Sequence, residues 1–151
     1  MQYKKSFYFL LTFFILGLLY TKIDLHIDYQ TRSFIGYFLL AAYLIGSTLL
    51  LSKPISSNTK LKKHFFVRLT MLLLVIFLGV LPFISLQQHD SLGAGYFLYF
   101  ASAGLGILFG TYMTIETIVL VRRKKYDQVI INFTLAEAVY CLLIFSNLFG
   151  F

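Results

Sequence analysis

The sequence predicts an all-α integral membrane protein with five transmembrane helices, and three observations carry that expectation. Hydrophobic residues make up 59% of the 151-residue chain and charged residues only 13%, with a mean hydropathy of +0.81; in soluble domains about a quarter of residues are charged. Five apolar runs, approximately 6–21, 34–51, 65–86, 92–121 and 129–151, each approach or exceed the roughly 20 residues that a helix needs to cross about 30 Å of hydrocarbon. The basic residues, finally, concentrate in alternate connections. Lys4 and Lys5 precede the first run, Lys53, Lys60, Lys62, Lys63 and Arg68 lie around the second connection, and Arg122, Arg123, Lys124 and Lys125 fill the fourth. Eleven of the thirteen Lys and Arg thus fall on one side, leaving Lys22 and Arg32 on the other. Cytoplasmic loops carry that excess, so the N-terminus is expected inside and the C-terminus outside. Runs this long, without two-residue alternation, read as helices rather than barrel strands, because in hydrocarbon the backbone must satisfy itself.

The first run resembles the start of a secretory signal, but Leu19-Tyr20-Thr21-Lys22 offers no small-x-small cleavage site, so it reads as an uncleaved helix. In the connection that follows, Asp24, His26 and Asp28 alternate with Ile23, Leu25 and Ile27, and in an extended segment the three polar side chains would point the same way. With His89 of the other outer connection they are weak metal-ligand candidates; no His pair at helical spacing and no Cys supports them, and a solvated loop is the plainer reading.

The second run carries a modest small-residue ridge, Ala42 and Gly46, and the third contains Pro82, which removes a backbone bond to Leu78 and is expected to kink that helix. Arg68 lies about five residues after Lys63 and Glu116 about six residues before Arg122. Similar depth makes them natural ion-pair partners, with snorkelling of Arg68 to lipid phosphates the alternative. Ser102, Gly106, Gly110 and Thr114 recur at four-residue spacing in the fourth run, a nearly bare face of the kind that lets helix backbones approach closely.

The fifth run holds Glu137. Nine residues beyond Gln128, it lies on the order of 14 Å into the span, near the midplane. Charge at that depth is expensive and is paired or functional as a rule. Thr134, Tyr140 and Cys141 share its helix face at i−3, i+3 and i+4, a polar stripe expected to look toward other helices. Glu137 is therefore read either as a proton- or cation-handling carboxylate or as a hydrogen-bonded packing residue. The lone Cys141 permits no intramolecular disulfide.

Two short matches suggest a repeated hairpin followed by an added fifth helix. Lys4-Lys5-Ser6-Phe7 recurs as Lys62-Lys63-His64-Phe65 at an offset of 58, and Gly36-Tyr37-Phe38-Leu39 as Gly95-Tyr96-Phe97-Leu98 at an offset of 59. The whole chain, 1–151, is expected to form one transmembrane bundle. A net charge of +7 does not imply nucleic-acid binding, because the cations cluster at the ends of apolar runs as topology signals do. No Ser/His/Asp order, phosphate-binding glycine loop or paired carboxylates in one loop is found, and no cofactor is implied. The expected role is binding within the membrane, as a subunit or an accessory or immunity-type factor of a membrane assembly, with the bilayer and another membrane protein or a second copy as partners. The alternative is a small proton- or cation-coupled carrier or channel using Glu137. Abundant Phe, Tyr, Ile and Lys without Trp fit an AT-rich genome, which points to the bacterial cytoplasmic membrane.

Overall fold

The computed structural model describes residues 3–22 and 28–146. Within them the chain folds into five helices, α1 (Tyr3–Lys22), α2 (Tyr29–Ser57), α3 (Thr59–Gln87), α4 (Ser91–Arg122) and α5 (Tyr126–Phe145), with no strand among the described residues. All five are long and apolar enough to cross a membrane. Residues 147–151 of the expected last span lie outside the described residues.

The helices outrun their apolar cores, and this corrects the expected connections. The stretch between the second and third runs is helical up to Ser57 and again from Thr59, leaving Asn58 alone between them. Asn58 takes extended dihedrals, and its side-chain oxygen accepts from the backbone N–H of Lys60 at 3.0 Å, capping the new helix where four N–H groups would otherwise lack partners. α2 continues through Pro54 to Ser57, and α3 through Pro82 to Gln87. Asp28 caps α2 by accepting from the N–H of Gln30, and Asp90 caps α4 by accepting from the N–H of Gly93. At the end of α4, Lys124 adopts a left-handed φ of 55°. Its N–H donates to the carbonyl of Val121 while that of Lys125 donates to Leu120, a paired closure of the terminal carbonyls that normally uses glycine.

The described contacts form two compact units, one of residues 1–62 and 126–151, the other of residues 63–125. The first holds α1, α2 and α5. Here α5 makes most of the helix–helix contact, while α1 and α2 touch each other far less. Tyr43 of α2 is the pivot, wholly buried, with its ring stacked on Phe9 and edge-on to Phe13 of α1. Its hydroxyl donates to the Thr134 carbonyl of α5 at 2.6 Å. Within a bilayer such a ring gains from close packing rather than from leaving water, and the hydrogen bond satisfies the phenol where no water can. One level on, Tyr20 meets Phe145 edge-to-face, donates to the Arg32 carbonyl at 2.9 Å and lies beneath the Arg32 guanidinium.

These pairings settle the helix directions. Phe14 meets Tyr140 and Tyr20 meets Phe145, so α1 and α5 run parallel; Tyr43 meets Thr134 and Gly36 meets Phe145, so α2 runs against both. The ends marked by Tyr3 and Phe145 therefore lie at opposite ends of this unit. In the second unit Arg68 meets Glu116 and Gly79 faces Leu105, which makes α3 and α4 antiparallel.

Candidate functional site

Glu137 lies on α5 eleven residues beyond Tyr126, about 16 Å along the axis. The stripe it belongs to does face other helices. Thr134 and Cys141 are buried, the Thr134 hydroxyl returning to the Ile130 carbonyl, and Tyr140 crosses to α1, where its hydroxyl donates to the Phe14 carbonyl at 3.3 Å. Between α1 and α5 runs an apolar groove of about 650 Å³, walled by Phe7, Leu10 and Phe14 on one side and by Ile130, Phe133 and Ala136 on the other. Glu137 is the only charged residue of its lining among the described residues. Its carboxyl group lies beside the Phe14 backbone, yet Oε1 is sheltered and has no hydrogen-bond partner. A sheltered oxygen left in that state costs free energy that neighbouring groups ordinarily offset.

Arg68 and Glu116 are brought together as an ion pair between α3 and α4, each with little exposure. The guanidinium also lies over the Tyr112 ring, 5.3 Å from its centroid, and reaches the Met71 sulfur at 3.5 Å. Tyr112 and Glu116 stand one turn apart on α4, as do Arg68 and Met71 on α3, so helix periodicity assembles the cluster. Its aromatic and thioether members did not stand out in the sequence.

The small-residue faces divide. A Cβ built on Gly46 would meet the Phe9 ring at 2.5 Å, so the α2 ridge is a packing surface, with Ala42 half-buried one turn earlier. On α4, a Cβ on Gly106 or Gly110 would meet no atom of its own unit within 4 Å, so this ridge is not the seam between α3 and α4; the side chain of Ser102 is outside the described residues. Tighter than either is Gly36, where a Cβ would run into the Phe145 carbonyl and the Tyr20 hydroxyl. That position was visible in the sequence only as part of the repeated Gly-Tyr-Phe-Leu motif. Its counterpart, Gly95, has no such neighbour, so the two copies of the motif have different surroundings.

Of the weak metal candidates, Asp24 and His26 lie outside the described residues, Asp28 is engaged as a helix cap and His89 is exposed in the turn before α4. No group of three or more His, Cys, Asp or Glu is gathered among the described residues. Comparison with protein families, with characterised proteins and with solved structures finds no match.

Proposed function

We propose that this multi-pass membrane protein acts by binding, as a subunit or accessory factor of a membrane assembly, an immunity-type factor being one form of that role. The observation that carries the reading is the Gly106–Gly110 face of α4, which its own unit leaves uncovered. Small-residue faces are where membrane helices approach most closely, since apolar side chains gain little by leaving lipid for one another. The occupant is a helix of another membrane protein or of a second copy. A photo-crosslinker at Ile107, beside this face, is expected to yield one discrete adduct with another chain in native membranes. Adducts to lipid alone, or only within the chain, overturn the reading.

The distribution of Lys and Arg supports an N-terminus inside and a C-terminus outside, and the parallel course of α1 and α5 is consistent with it. The bacterial cytoplasmic membrane is the setting that the composition favours. Reporter fusions after Ser146 should then read extracytoplasmic.

A second reading is favoured by the unpartnered Oε1 of Glu137, namely a proton- or cation-coupled carrier. Purified protein in liposomes would then conduct protons or cations, and Glu137→Gln would fold normally and abolish the flux. Flux that survives Glu137→Gln rules this reading out.

A further inference from the structure

We propose that the α1–α5 groove binds a lipophilic amine, an apolar body bearing one protonated nitrogen, with the Glu137 carboxylate as its counter-ion. The inference depends on the groove alone, and neither a partner at α4 nor transport is needed for it.

Size and chemistry agree. A volume of about 650 Å³ is within the range of small-molecule sites, and the walls are the aliphatic and aromatic side chains that such sites use to bury a ligand body. Tyr126 at one end and Tyr140 and Phe14 at the other add ring faces that attract a cation, an interaction strongest away from water.

Charge complementarity selects the head group. The chain has six acidic residues, and three of the five described ones have partners, Glu116 in its pair with Arg68 and Asp28 and Asp90 as helix caps. Asp127, whose Oδ1 is also sheltered without a hydrogen-bond partner, lies outside the groove lining, in the first turn of α5, where the helix dipole favours a negative charge. Glu137 is in mid-helix, and among the described residues no Lys, Arg or His lines the groove to answer it. A lipid acyl chain would fill the apolar walls and leave Oε1 as it is. An inorganic cation is poorly served, because hard cations need several oxygen ligands and the described lining offers only the Glu137 carboxylate and the hydroxyls of Tyr126 and Tyr140 as side-chain oxygens. A single N–H donor on an apolar body matches what the groove offers.

The test is equilibrium binding of radiolabelled phenylbutylamine, and of its uncharged analogue phenylbutanol, to the full-length protein in phosphatidylcholine nanodiscs, with empty nanodiscs subtracted. Saturable amine binding is expected, weakened by about ten- to a hundredfold in Glu137→Gln, as loss of a charged hydrogen bond implies, while phenylbutanol binding changes little. Ala136→Phe, which keeps the carboxylate but fills the groove, should abolish the saturable component. If Glu137→Gln fails to fold, Ala136→Phe decides the matter, and amine binding that survives it overturns the proposal. So does amine binding no greater than that of empty discs, or equal in wild type and Glu137→Gln, because apolar walls or lipid alone would then hold the ligand. None of these results bears on a crosslinked partner at α4, so the two readings fail separately.

Discussion

The Tyr43 hydroxyl and the Thr134 carbonyl, 91 residues apart in sequence, join the second helix to the last through one buried hydrogen bond. The carbonyl also belongs to the α5 backbone ladder, so the phenol uses its second lone pair and does not compete with the helix. Tyr43→Phe keeps the ring contacts with Phe9 and Phe13 and removes only this bond. It should cost about 1 kcal/mol of stability, whereas Tyr43→Ala should cost about 3–5 kcal/mol. Reversible unfolding in mixed micelles checks both values, and a Phe variant as stable as wild type would show that the hydroxyl contributes nothing.

Arg68 and Glu116 give a second measurable coupling. Removing one charge strands the other in a sheltered position, so Arg68→Met and Glu116→Gln should each destabilise by about 2–4 kcal/mol, and the double variant by less than their sum. Strict additivity in a double-mutant cycle would mean that the two side chains do not interact in the membrane.

Gly36 and Gly106 should respond oppositely to the same change. Alanine at Gly36 forces the Phe145 carbonyl and the Tyr20 hydroxyl apart, an overpacking cost of about 1–3 kcal/mol. Alanine at Gly106 meets no atom of its own unit and brings the higher helix propensity of that residue, worth up to about 1 kcal/mol. Thermal unfolding of the two variants in detergent distinguishes them by sign.

At Lys124 the left-handed backbone burdens a residue with a Cβ. Lys124→Gly should raise stability by about 1 kcal/mol, and Lys124→Val should lower it by a similar amount or more. Melting temperatures of both, measured alongside wild type, check the direction. Topology should be unchanged, since Arg122, Arg123 and Lys125 remain in that connection.

The number of helices, their membrane character and the Arg68–Glu116 pair were legible in the sequence, because run length, charge placement and depth counting are one-dimensional quantities. The polar stripe around Glu137 was legible too, since helical periodicity alone puts Thr134, Tyr140 and Cys141 on its face. What could not be read was which helix each face meets. Nothing in the local sequence of Gly36 says that Phe145 will lie against it, and the open face at Gly106 looks more like a packing ridge than the occupied one at Gly36. The connections were overestimated for a different reason. Apolar runs mark what hydrocarbon covers, whereas the helices continue beyond those runs, α2 to Ser57 and α3 to Gln87, and the next helix begins behind a cap such as Asn58 or Asp90. Both caps follow the known preference for short polar side chains ahead of a helix, and that signal was available.

The arrangement of α5 has a consequence for biosynthesis. Helices inserted one after another from a ribosome meet their neighbours in order of synthesis, yet in the first unit both α1 and α2 pack mainly against α5, which is made after them and after α3 and α4. Until α5 emerges, Tyr43 lacks its acceptor and Gly17 has no Tyr140 ring against it, and the first hairpin is held by the Phe9, Phe13 and Tyr43 rings and by the contact of Tyr20 with Arg32 and Gly36. Closure over so long a stretch of chain is slow and exposes intermediates. A nascent chain stalled before Tyr126 therefore lacks both the acceptor for the Tyr43 hydroxyl and the helix that α1 and α2 pack against.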